Sequence, residues 1–183
     1  MSKKALIVLA EGFEEIEAVT VIDILRRAKI EVTIAGLHDT KVKAARGTVI
    51  MTDGILDLIK DEFDALILPG GMPGASNLAS SGTVNDFVKA MYSTGKIVAA
   101  ICAAPAVVLA PAGILKHKSA TCFPGMEGQF SKDTTYKEDA VVVDANIITS
   151  RGPGTALKFA LTIVEHLVGK EISEKIRQAT LAD

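Results

Sequence analysis

The sequence has no tryptophan, three histidines and two cysteines in 183 residues, and each shortage removes a class of chemistry. Cys102 and Cys122 stand 20 positions apart with no CxxC spacing and no even-numbered framework, so a disulfide-stapled secreted scaffold is not expected. His38, His117 and His166 fall in a turn, between lysines and near a helix end; none follows a cysteine or clusters with another ligand type. A Cys-His dyad and a zinc site therefore lack their residues, and no metal is expected. Neither a GxGxxG nor a Walker pattern occurs, so no dinucleotide or ATP cofactor is implied.

Excess positive charge is missing too. With 20 Lys and Arg against 22 Asp and Glu, the net charge of -2 leaves nothing to neutralise a phosphate backbone, and nucleic acid is not an expected partner. The apolar run after Ser2-Lys3-Lys4 ends at Glu11-Gly12, too short for a signal peptide core. A longer uncharged stretch, 97–115, has the length of a membrane span. Its alanines, Pro105, Pro111 and Gly113 instead divide it into a β-branched half and a helical half around Cys102, as in a buried strand-turn-helix. No membrane is expected, and a reducing, cytoplasmic setting fits two unpaired cysteines.

What is present is a 49% hydrophobic chain of one-domain length, read as a single domain over 1–183. Short β-branched runs alternate with segments of helical period, which predicts an α/β fold with a mainly parallel central sheet. Strands are expected at 5–10, 30–35, 65–68 and 97–101, with 141–143 and 147–149 as a small hairpin and 49–55 as a strand or part of a hairpin. Helices are expected at 14–28, 84–92, 103–109, 155–168 and 171–180. In the first helix Ile16, Val19, Ile22 and Leu25 recur at three- to four-residue spacing and predict a core stripe.

Three segments carry chemistry. Ala100-Ile101-Cys102-Ala103-Ala104-Pro105 places a cysteine between strand and helix with small neighbours, the layout of a nucleophile elbow. The helix start is expected to lower the thiol pKa from about 8.5 into roughly 3.5–7.5. Leu68-Pro69-Gly70-Gly71 is a glycine turn at the end of another strand, where backbone N–H groups of Gly70 and Gly71 can face an oxyanion. Glu14-Glu15-Ile16-Glu17 opens the first helix; Glu17 shares a face with Val21, Ile24 and Ala28, and so is expected to point inward as a group for moving protons.

These motifs, with Thr149-Ser150-Arg151-Gly152-Pro153-Gly154-Thr155, run in order over nearly the whole chain. They resemble the ThiJ/PfpI superfamily, most closely its branch of Parkinson disease protein deglycases and glutathione-independent glyoxalases. The resemblance implies a flavodoxin-like three-layer sandwich, a homodimer, Cys102 as nucleophile, Glu17 as its protonated partner, and N–H groups of Gly71 and Ala103 facing the reacting oxygen. It implies a cofactor-independent reaction in which methylglyoxal or a similar 2-oxoaldehyde becomes a 2-hydroxy acid through a Cys102 hemithioacetal, with deglycation as the related claim. The alternative is an oxidative-stress sensor or redox-regulated chaperone in which Cys102 becomes a sulfinic acid. Two departures stand out. Protease-like members carry histidine after the cysteine where this chain has Ala103, so peptidase activity is not expected, and Phe123 replaces a histidine that lines the pocket of some relatives.

Overall fold

The run after Lys3-Lys4 becomes the middle of a sheet because it is apolar on both faces. In the computed structural model, which describes residues 2–182, β1 spans Lys4–Leu9 and Ala5 through Leu9 are fully buried, as a parallel strand covered by helices on both sides must be. Met1 and Asp183, the two ends of the expected 1–183 unit, lie outside the described residues. The chain continues through α1 (Glu15–Arg27), β2 (Glu31–Gly36), β3 (Lys41–Lys43), β4 (Val49–Met51), β5 (Gly54–Ile55), β6 (Ala65–Leu68), α2 (Gly74–Ala79), α3 (Gly82–Ser93) and β7 (Ile97–Ile101). After a π-helical turn over Pro105–Leu109 come β8 (Ser119–Ala120), β9 (Thr135–Tyr136), β10 (Val141–Asp144), β11 (Ile147–Ser150), α4 (Ala156–Val168) and α5 (Lys170–Ala179).

Seven strands form the main sheet in the order β10-β11-β7-β6-β1-β2-β5. Every neighbouring pair is parallel except β10 with β11. The alternation of side chains divides the core in two. Ala5, Ile7 and Leu9 pack with Val21 and Leu25 of α1 and Phe159 and Ile163 of α4, whereas Leu6 and Val8 pack with Leu78 of α2 and Val84 and Val88 of α3. The result is the flavodoxin-like α/β sandwich that the resemblance implies.

The structure adds four details. The buried face of α1 is Glu17, Ala18, Val21, Ile22, Ile24 and Leu25, while Ile16 and Val19 are 54% and 48% exposed, so the expected stripe is displaced around the helix. Segment 49–55 divides: β4 pairs with β3 in a separate hairpin, and β5 joins the edge of the main sheet beside β2. The glycine turn after β6 runs directly into α2, a short helix absent from the expected set. The helix expected at 103–109 is present over Pro105–Leu109 with the wider π form. Pro105 cannot donate to the ladder, and the Ala110 N–H reaches back five residues to its carbonyl at 3.0 Å.

Candidate active site

The chain leaving β1 enters α1 on one face of the sheet, and the chain leaving the adjacent β6 enters α2 on the other. A crevice opens at such a switch point, outside the carboxyl ends of the strands. Two loops cross there in near contact. A Cβ on Gly12 would lie 2.5 Å from Pro73 Cδ, one on Gly71 2.5 Å from both Glu14 N and Gly12 O, and one on Gly74 2.6 Å from Phe13 N. Gly12 and Gly71 also have positive φ, 86° and 85°. The glycines let the first loop seat on the second, with Glu14 N–H donating to Gly70 O at 3.1 Å and Gly74 N–H to Gly12 O at 3.3 Å. Gly12 and Gly74 belong to the two segments that the sequence singles out, but their part in seating one loop on the other shows only in the structure.

Cys102 follows β7, next to β6. Its φ of 64° is unusual for a residue with a side chain, a conformation costing on the order of 1–3 kcal/mol that persists where surroundings enforce it. Here the enforcement is visible: the Cys102 N–H donates to Ser150 O at 2.9 Å, and its carbonyl accepts the Phe123 N–H at 2.8 Å. Small residues Ala103 and Ala104 leave room for the bend, and backbone N–H groups of Gly71 and Ala103 are directed at the sulfur. The side chain is mostly covered, with 9% of the residue exposed.

Glu17 meets this thiol from α1. It is fully buried, and the Gly70 N–H donates to its Oε2 at 2.7 Å. Among the described residues no N–H or O–H group donates to Oε1. Burial pushes the Glu17 carboxyl up to about 7, a rise that the Gly70 N–H and the neighbouring thiol oppose and the charge of Glu14 reinforces. The expected inward acid with a raised pKa is therefore present. The expected lowering of the Cys102 pKa is not. Burial first, then the charge of Glu17 and its hydrogen bond with the thiol, push Cys102 up to about 12 against the pull of the Gly71 and Ala103 N–H groups. The elbow stands at the start of an irregular turn, and a carboxylate beside a covered thiol outweighs two backbone dipoles. The proton of this pair is thus shared by one coupled unit: a thiolate at Cys102 requires a neutral Glu17.

The remaining residues divide by position. Gly70 lies against both Cys102 and Glu17, and the N–H groups of Gly71 and Ala103 act on the sulfur. Phe123 is joined to the elbow by its backbone, with its side chain at the rim and the residue 45% exposed. Cys122 is fully buried and pushed up to about 11 by burial and the charge of Glu127, with Arg151 opposing. His38, His117 and His166 are all exposed. Among the described residues no group of three His, Cys, Asp or Glu side chains is placed to hold a metal.

The chain as a whole has counterparts among known proteins. The DJ-1/PfpI family pattern matches residues 3–166. The chain belongs to the DJ-1/PfpI family. Among its members, Protein dj-1beta of Drosophila melanogaster is 45% identical over 184 residues, covering 99% of this chain and 98% of the relative. The crystal structure of that Drosophila DJ-1beta superposes with a TM-score of 0.96 at 45% identity over the whole of both chains. A second relative, glutathione-independent glyoxalase DJR-1.2 of Caenorhabditis elegans, is 41% identical over 172 residues, 92% of this chain and 91% of the relative.

Proposed function

We propose that this chain is a cofactor-independent glyoxalase acting on small 2-oxoaldehydes such as methylglyoxal. The observation that carries the reading is the pairing of Cys102 with a buried acid whose pKa stands at about 7, where a carboxyl both accepts and returns a proton at neutral pH. The similarity to a relative named as a glutathione-independent glyoxalase supports it.

The chemistry follows from the groups present. With the shared proton on Glu17, the Cys102 thiolate attacks the aldehyde carbon; a C–S bond forms, the C=O π pair moves to oxygen, and that oxygen takes the proton from Glu17, giving a hemithioacetal and leaving Glu17 as the carboxylate base. The N–H groups of Gly71 and Ala103 stabilise the oxyanion. Glu17 removes the hydrogen on the former aldehyde carbon and delivers a proton to the adjacent carbonyl carbon through an enediol. The two carbons exchange oxidation state internally, so no external oxidant or reductant is needed. Water then hydrolyses the thioester to the 2-hydroxy acid and frees the thiol. Attack on early glycation adducts, the deglycase claim, would use the same first step.

The same proposal places the protein in the cytoplasm as a homodimer. Among the described residues no helix is long and apolar enough to cross a membrane. The test is lactate formation from methylglyoxal in glutathione-free buffer: production by the wild type and its loss in Cys102→Ser support the enzyme. No lactate from the wild type overturns it in favour of a Cys102 redox sensor or chaperone.

A further inference from the structure

We infer that the side-chain hydroxyls of Thr149, Ser150 and Thr155 form a clamp that holds the Cys102 elbow in its bend and so sets the sulfur against Glu17. This makes the three positioning residues for the proposed glyoxalase reaction, and the inference rests on that reading for its turnover readout alone. The first observation is where the core holds polar groups. Among the described residues, five polar or charged side chains are buried: Glu17, Thr121, Thr149, Ser150 and Ser173. Ser173 donates to Leu161 O, joining α5 to α4. The other four gather at the elbow, although a buried hydroxyl costs free energy unless its hydrogen bonds are made.

Both backbone groups of Cys102 end on what these hydroxyls hold. Ser150 pairs with Ile101 in the β7–β11 ladder, and the next bond of that ladder runs from the Cys102 N–H to Ser150 O at 2.9 Å. The Cys102 carbonyl, turned aside at a φ of 64°, accepts the Phe123 N–H at 2.8 Å. Successive strand residues face opposite sides of a sheet, and Thr149 and Ser150 use one side each. Thr149 Oγ1 accepts the Thr121 N–H at 2.9 Å and so anchors the segment that delivers the Phe123 N–H. Ser150 Oγ donates to Ala140 O at 2.7 Å and stands 2.7 Å from Thr155 Oγ1, which accepts the Gly152 N–H at 3.1 Å. Thr155 stands just before α4, where a threonine ordinarily caps the helix. Among the described residues its side chain caps no N–H of α4 and turns back on the loop after β11. A side-chain-bearing residue at positive φ persists there only where its surroundings enforce it, and hydroxyls on both faces of β11 do so here.

The test uses Thr149→Val and Thr155→Val, which keep the shape and remove the hydroxyl, beside Thr149→Ser and Thr155→Ser, which keep the hydroxyl. In each valine variant kcat for methylglyoxal should fall about tenfold or more with little change in KM, since misplaced reacting groups slow the chemical step. The second readout needs no turnover. Glu17→Gln should accelerate iodoacetamide labelling of Cys102 at pH 8, because the carboxylate charge acts on the sulfur. In the valine backgrounds that acceleration should shrink at least about threefold, because sulfur and carboxyl are no longer held together. The serine variants should retain both properties. An acceleration unchanged in both valine variants, whatever their stability in urea, would show that the hydroxyls only hold the fold, and would overturn the inference. So would serine variants as impaired as the valine ones, or a Glu17→Gln substitution without effect in the wild-type background, which leaves no pairing for the clamp to set. No methylglyoxal turnover by the wild type, with the acceleration still lost in the valine variants, would end the glyoxalase reading and leave the clamp standing.

Discussion

Gly70 and Cys102 are in contact so close that a methyl group on Gly70 would lie 2.6 Å from the Cys102 Cβ, as well as 2.8 Å from Glu17 Oε2 and 2.9 Å from the Ile101 carbonyl oxygen. The last neighbour is backbone of a central strand and cannot step aside. Gly70→Ala should therefore push Glu17 and Cys102 apart, weaken the 2.7 Å hydrogen bond to Oε2, and cost about 1–3 kcal/mol in stability, the usual scale of overpacking. Turnover of 2-oxoaldehyde should fall at least about tenfold. Gly82→Ala, where the added methyl meets nothing within 4 Å, is the control. Urea unfolding and lactate assays on the two variants check the contrast; equal behaviour would mean that the contact is soft.

A second prediction concerns the surface of α1. Ile16 and Val19 are exposed on this helix, and Val49 and Met51 are exposed on the β3–β4 hairpin at 45% and 66%. The two elements are stitched together, since Glu15 Oε1 accepts the Arg46 N–H at 2.8 Å and the Thr48 N–H at 3.3 Å. Their apolar side chains thus form neighbouring surface that a second copy of the chain can cover. Light scattering at micromolar concentration should give a dimer mass, and Val19→Glu should give a monomer. A wild-type monomer would count against the pairing.

The thiols should differ in order of reaction. Cys102 is 9% exposed at the crevice, while Cys122 is fully buried; both thiols are pushed up, so access and not acidity sets the order. A substoichiometric alkylating agent or peroxide at neutral pH should modify Cys102 first, as read by peptide mass spectrometry. Modification of Cys122 first would remove Cys102 from the centre of the site.

Much of this site was legible in the sequence because its parts are local. A cysteine flanked by alanines after a β-branched run, and a double glycine after Leu68-Pro69, each announce a turn at the end of a buried strand. The inward direction of Glu17 followed from helical spacing with Val21 and Ile24. What the sequence could not give was the balance of long-range effects. The start of a helix promised a lowered thiol pKa, but the charge on Glu17, 85 residues earlier in the chain, and the burial of the elbow push it the other way. The displaced stripe of α1 has a similar origin: Ile16 and Val19 fit the helical period, and only the packing of α1 on the sheet and α4 decides which face is covered.

Glu17 should leave a mark on stability as a function of pH. Its carboxyl rises from 4.5 to about 7 on folding, so between these values the folded chain holds a proton that the unfolded chain has released. Stability from this group is complete below about 4.5, declines as pH rises through the window, and is lost above about 7. A shift of this size corresponds to roughly 3 kcal/mol. Glu17→Gln cannot ionise, so the difference in unfolding free energy between variant and wild type should grow in favour of the variant from pH 4.5 to pH 8. A flat difference would show that Glu17 titrates normally in the folded protein.

The last prediction separates the two roles of Glu17. At pH 8 the wild-type carboxyl is largely ionised, and its charge helps to hold the Cys102 thiol up to about 12. Glu17→Gln removes that charge while keeping nearly the same shape, so the midpoint of Cys102 alkylation by iodoacetamide should move to lower pH and labelling at pH 8 should accelerate. Glutamine cannot carry a proton between carbons, however, and turnover should fall about 10²-fold or more, the scale of a lost general acid–base group. A more reactive nucleophile in a slower enzyme is the signature expected of a proton shuttle. Glu17→Asp keeps the charge but withdraws it by one methylene from the Gly70 N–H and from the thiol, so it should lose turnover without the gain in alkylation at pH 8 seen with glutamine. Full turnover in Glu17→Gln would show that another group moves the proton, and Glu14, whose charge already acts on Glu17, would be the next residue to replace.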